Sequence, residues 1–331
     1  MDMKSGNAGA VIFGFQFQID AAICLFIRNI KNISIMKVEG RFQDVEFYLN
    51  NNSIIYCQVK SIHNPKTTKK NHNKLIEAIK SLVKCKLNHG DVLMFCSNQF
   101  EPLISDDLIF NNDSILEYSY SDLNNNSREL IKRYFNKHLS SNYNKLSIVK
   151  IPYRISSNID TKRVFIIDEV KKFLQKINEG DWRASSLVSL WHDTLENSAT
   201  STEGKFYVSK SEFVWIIIAH LLDQKTSEII DYIDDESLLE DIERKYKSLI
   251  HNKINNFEAS NYIIGLYKEQ FHSGKCSNIE MFIENNHDDL CKAIYLDDDV
   301  GYVENITLFA IVKIILRTRT RIERIKEEAN I

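Results

Sequence analysis

The sequence predicts an α/β domain over residues 1–200 followed by an all-α domain over residues 201–331. Three observations carry this. Between residues 15 and 98 the hydrophobic pattern reads helix, three strands, helix, strand. The stretch Glu196–Lys205, ENSATSTEGK, has the small polar composition of a linker. From Ser209 to the end, long runs keep a helical period. A chain of 331 residues has room for about two domains. Its 3 Pro and 10 Gly favour regular structure over long flexible linkers.

In order, Phe15, Ile19, Ala22, Phe26 and Ile30 recur at spacings of three and four and predict a helix over 15–30. Strand-like runs follow at Ile33–Val38, Val45–Leu49 and Ile54–Val59. A second helix covers Lys74–Leu87 and stops at His89-Gly90. Asp91–Asn98, DVLMFCSN, reads as a buried strand with a polar end. Residues 100–145, rich in Asn, Ser, Asp and Tyr, read as irregular with short helices. Leu146–Tyr153 reads as a strand and Asp168–Ile177 as a helix. In the second domain Lys210–Gln224 is apolar nearly all round, as in a buried helix. Asp231–Ile250 is acidic first and basic later, which suits a helix dipole. Ile306–Ala329 joins an apolar helix to a charged tail, where Arg317, Arg319, Arg321 and Arg324 face DNA, another subunit or solvent.

A net charge of −3 excludes a globally basic protein, so any nucleic-acid surface is a local patch. The six cysteines form no C-x-x-C pair and sit mostly in apolar runs, as buried reduced thiols of a cytoplasmic protein do. The longest apolar stretch, Phe213–Leu222, is too short to span a bilayer and is broken by His220, and no membrane association is expected.

The run VEGRFQDVEFYLNNNSIIYCQVKS, residues 38–61, carries the chemistry. Alternate strand residues share a face. Val45, Phe47 and Leu49 make one apolar set, and Ile55, Cys57 and Val59 another. Placing both sets on one core pairs odd residues with odd ones, with Leu49 opposite Ser53 across a turn of Asn50, Asn51 and Asn52. Asp44 then lies opposite Gln58, Glu46 opposite Tyr56, and Lys60 on the same face as Gln58. A carboxylate, an amide oxygen and an ammonium group gathered in this way suit metal-dependent phosphodiester hydrolysis. Asp44, the Gln58 side-chain oxygen and the backbone carbonyl near Val59 are ligand types for Mg²⁺, with Mn²⁺ as the alternative. Lys60 orients the attacking water or neutralises phosphoryl charge. The same alternation also fits a plain solvated sheet face. Downstream, Lys66, Lys69, Lys70 and Lys74 are spaced to grip a DNA backbone or to form a basic solvated surface. No base-reading helix is evident, so loose sequence specificity is expected.

The constellation resembles the PD-(D/E)XK nuclease superfamily, with Asp44 as the lone acid and Gln58-Val59-Lys60 as the (D/E)xK element. The Gln form of that element occurs in Mrr-like restriction endonucleases. GFQFQIDAAICLFI, VEGRFQDVEF, YCQVKS and LMFCSN together look like the double-stranded-DNA endonuclease domain of anti-phage effectors of the CBASS and Lamassu types. The likeness is good over residues 10–100, continues more weakly to about 200 and does not extend over the C-terminal part. It implies a restriction-endonuclease-like α/β fold and a Mg²⁺-dependent endonuclease. Glu39 would be a supporting acid, and Gln18 would sit at the polar position of the first helix, where Mrr-like enzymes often carry Glu. Glu46 and Asp20 are spare acids. The Lamassu likeness is favoured. It implies an SMC-like ATPase and an accessory subunit as partners. Independently of the likeness, the helical domain is expected to form a homo-oligomer, since cutting both strands needs two sites, or to dock on a regulator. The alternative reading is a nuclease-like module that holds DNA or a partner without cutting; an RNase is a third.

Overall fold

The structure is a computed structural model. It describes residues 8–62, 72–99, 103, 114–153, 156, 158–180, 183–200, 207–223, 236–252, 256–294 and 301–331. The chain divides into two compact units, Met1–Lys210 and Ser211–Ile331.

The first unit is α/β. Its elements are α1 (Ala8–Arg28), β1 (Ile33–Val38), β2 (Val45–Leu49), β3 (Ile54–Lys60), α2 (His72–Leu82), β4 (Val92–Ser97), β5 (Leu116–Ser119), α3 (Asn125–Asn136), β6 (Leu146–Lys150), α4 (Ile159–Lys162), α5 (Val164–Lys176), α6 (Ala184–Thr200) and β7 (Val208–Ser209). Seven strands form one mixed sheet in the order β5-β6-β4-β3-β2-β1-β7. The β3–β4 and β4–β6 pairs are parallel, and the others are antiparallel.

Helices cover both faces of the sheet centre. On one face α1 packs on β1 and β3 and is backed by α5 and α6. On the other, Tyr56, Leu93, Phe95, Leu146 and Ile148 join Leu75, Ile79 and Leu82 of α2 and Ile131 and Phe135 of α3 in one apolar cluster. Helix α1 is long and apolar enough to cross a membrane by length and composition, but 61% of that window is buried inside the protein. It is the buried helix of this layer, and it supersedes Phe213–Leu222 as the longest apolar element.

The hairpin has the register expected from its faces. Val45 pairs with Cys57, Glu46 with Tyr56 and Phe47 with Ile55. Leu49 N–H donates to Ser53 carbonyl at 2.9 Å, and Asn52 takes the left-handed conformation that closes the turn (φ 66°). Five expectations need correction. The second helix ends at Leu82, and Val83–Cys85 continue as turns. Residues 100–145 hold a full helix, α3, whose buried Ser127, Ile131, Tyr134 and Phe135 recur at three and four. Of the expected linker, Glu196–Thr200 is the end of α6, and 201–206 lie outside the described residues. The even-numbered face of β3 is not a solvated face: Tyr56 and Gln58 are 5% and 4% exposed. The first unit runs past residue 200 because Met36 and Ile35 of β1 pair with Val208 and Ser209.

In the second unit every described regular element is a helix: α7 (Lys210–Asp223, whose first residue belongs to unit 1), α8 (Glu236–Asn252), α9 (Asn256–His272), α10 (Ile279–Asn285), α11 (His287–Ile294) and α12 (Tyr302–Ala329). Helix α12 is the axis, packed by α8, α9, α10 and α11. Trp215 packs edge-on against Phe257, and its indole N–H donates to Ile250 carbonyl at 2.8 Å.

Candidate metal and phosphodiester site

Strands β2 and β3 carry Asp44, Gln58, Val59 and Lys60 to one point. Asp44 Oδ2 accepts from the Gln58 side-chain amide, from Val59 N–H at 2.9 Å and from Lys60 Nζ at 3.3 Å. The Val59 contribution is its N–H. Among the described residues no donor reaches Asp44 Oδ1, so three donors fix the carboxylate through one oxygen and leave the other outward. The Asp44 and Lys60 side chains keep 18% and 28% exposure, enough for a ligand to reach them.

Glu39 is exposed at the end of β1 in a left-handed conformation (φ 52°), with its N–H bonded to Asp44 carbonyl at 2.7 Å. Partial burial raises its pKa above the ordinary value; the Asp44 carboxylate raises it further, and Lys60 pulls it down. These three groups therefore share one electrostatic neighbourhood. Gln18 is half-buried on α1 and makes no side-chain hydrogen bond among the described residues. One turn earlier on that helix, a Cβ at Gly14 would lie 3.6 Å from Ser61 Oγ, just beyond Lys60. That places the Gln18 side of α1 near the end of β3.

The spare acids have other duties. Glu46 is fully buried: Oε1 accepts from Phe42 N–H at 2.7 Å and Gln43 N–H at 3.3 Å, and Oε2 accepts from Tyr48 OH at 3.0 Å. Burial and this bond push the Tyr48 pKa up to about 12. A Cβ at Gly40 would stand 2.6 Å from the Glu46 carboxyl carbon, so glycine is needed where the loop crosses it. Gln43 donates to Ser81 carbonyl at 3.2 Å and Cys85 Sγ at 3.1 Å, tying the loop to the end of α2. Glu46 and Gln43 thus set the path of the segment joining Glu39 to Asp44. Asp20 is fully buried and accepts from Arg163 Nε at 2.9 Å and Tyr153 OH at 2.7 Å. It braces α1 from within the core, where burial raises its pKa against Arg163 and His192.

Sequence reasoning missed these supports. It also missed Ser97 and Asn98, which hold the chain leaving β3: Ser97 Oγ donates to Lys60 carbonyl at 2.9 Å, and the Asn98 side chain bonds Ile62 N–H and carbonyl at 2.7 and 2.8 Å. The polar SN ending an apolar strand was the available signal. Of the DNA-binding lysines, Lys66, Lys69 and Lys70 lie outside the described residues. Lys74 pairs with Glu77 of its own helix at 2.8 Å. On α6, His192, Asp193 and Glu196 bring three ligand-type atoms within 4.8 Å of one another, a grouping the spacing H-D-x-x-E could have signalled.

The residues at Asp44 fit a hard divalent cation. The carboxylate has an outward oxygen, a second acid shares its field, and a buried amide lies against it. In the described arrangement Gln58 turns its N–H toward Asp44, so coordination through its oxygen requires the amide to rotate. Comparison with known proteins gives no matching family model, no curated relative and no solved structure similar to this chain.

Proposed function

We propose that the chain is a divalent-metal-dependent phosphodiesterase. More particularly, we read it as a double-stranded-DNA endonuclease of PD-(D/E)XK type, the effector of a bacterial anti-phage system. The observation that carries the reading is the convergence of Gln58, Val59 N–H and Lys60 on Asp44. In this reading Asp44, with Glu39 and Gln58, would hold Mg²⁺ or Mn²⁺. A bound ion supplies a water of lowered pKa and neutralises phosphoryl charge. Lys60 places its ammonium on the phosphoryl oxygens, where negative charge grows in the transition state. Val59 N–H fixes the orientation of the Asp44 carboxylate, which would hold the ion. Ser97 and Asn98 hold the strand end that aims Lys60. The helical unit forms a homo-oligomer, bringing two sites to opposite strands, or docks on an SMC-like ATPase and its accessory subunit, which restrain cutting.

The test incubates the full chain with plasmid and Mg²⁺ or Mn²⁺, alongside Lys60→Ala, Asp44→Ala and an RNA substrate. DNA cutting that falls at least about a hundredfold in both variants supports the reading. Cutting unchanged in either variant overturns the site, and cutting confined to RNA redirects the substrate. A second reading, a nuclease-like module that binds without cutting, draws on the Gln58 N–H donated to Asp44. Its mark is metal-independent DNA binding with no cutting in any oligomeric state.

A further inference from the structure

We propose that Lys37, Arg41, Phe42 and Tyr48 form a nucleic-acid-binding surface beside the Asp44 site; the occupant, duplex DNA, rests on the nuclease reading. Lys37 lies directly across β1–β2 from Glu46, and Tyr48 is two residues from Glu46, so all three share the face that carries Asp44 and Lys60. Lys37 Nζ sits 4.8 Å over the Tyr48 ring. The Arg41 guanidinium sits 5.2 Å over the Phe42 ring. Phe42 is 51% exposed, with its ring set edge-on to Tyr56 at 6.2 Å.

Four features make this a built surface rather than a frayed loop. The backbone at Phe42 and Gln43 is bonded to the buried Glu46 carboxylate, and Gln43 is tied to α2. Phe42 is therefore held outward on a fixed segment. Neither Lys37 nor Arg41 joins an ion pair among the described residues. Glu46, which faces Lys37 across β1–β2, is occupied by its three donors.

What remains is an alternation of cation and aromatic. Cations neutralise phosphates and an exposed aromatic ring packs on backbone sugars, so the pattern suits the backbone of duplex DNA. Glu46 lies two residues from Asp44, about 7 Å along the strand. One substrate therefore spans both the surface and the site.

The test measures binding of the full chain to a short fluorescent duplex by anisotropy over a salt series, with Ca²⁺ in place of Mg²⁺. Arg41→Ala and Lys37→Ala each lower the salt slope by about one, while Arg41→Lys keeps it. Phe42→Ala weakens binding on the order of tenfold with an unchanged slope, and Phe42→Trp restores it. Circular dichroism and melting confirm that each variant is folded. Binding within about twofold of wild type and an unchanged slope in all the alanine variants overturn the surface. If the wild type still cuts and Lys60→Ala does not, that result sinks the surface alone. A wild type that neither binds nor cuts DNA sinks both readings.

Discussion

Asp44 and Glu39 are coupled, and the coupling is measurable without any turnover. Asp44→Asn removes the charge that helps hold Glu39 above its ordinary pKa, so the Glu39 titration followed by NMR moves down. The sign for metal follows. A raised Glu39 pKa keeps its proton to higher pH, and cations compete with that proton. On the proposed metal reading, apparent metal affinity falls as pH drops through the raised value, and Glu39→Gln flattens this dependence, as isothermal titration at several pH values will register. For folding the sign is opposite: the shift favours the protonated fold at low pH, and that contribution is lost as pH rises. Glu46 acts on stability. Glu46→Ala strips the acceptor from two loop N–H groups and a tyrosine hydroxyl inside the protein, and costs about 3 kcal/mol by denaturant unfolding. Glu46→Gln restores part of it.

At the scale of elements, one cap and one bridge invite measurement. Asn124 Oδ1 accepts from Ser127 N–H at 2.8 Å and caps α3; Asn124→Ala lowers stability by about 1 kcal/mol in urea unfolding. His251 of α8 bonds Asp223 of α7 at 2.5 Å, and this bond raises its pKa despite the cost of burial. The group has a folded pKa above its unfolded value. Its stabilisation is thus present below about pH 6.5 and is lost as pH rises through the folded value. Melting of the full chain from pH 6 to 8 shows this fall, and Asp223→Asn flattens it.

The β2–β3 hairpin was legible because a period of two fixes faces, and one register alone puts both apolar sets together. Asp44, Gln58 and Lys60 followed from that register. Helix α3 was not legible: its apolar positions are spaced by Asn, Lys and Arg in an Asn-rich stretch, and the composition masked the period. The roles of Glu46 and Gln43 were hidden because side chains from separate elements meet there, and strand periodicity says nothing of a loop folding back.

For the whole molecule, the division at Lys210 gives each unit its own core: a sheet covered on both faces, and helices around α12. Residues 1–210 expressed alone are expected to melt cooperatively and retain mixed α/β dichroism; a broad, non-cooperative transition would contradict a self-sufficient first unit.

The packing of α1 on α5 and α6 has a consequence on the ribosome. At roughly 5–20 residues per second, the stretch from Arg28 to Val164 takes on the order of ten seconds to translate. Throughout that interval an apolar helix has left the exit tunnel before its covering partners exist. The nascent chain then depends on holdases at the ribosome to shield that helix, and slowing translation before Val164 should increase aggregation of the newborn protein.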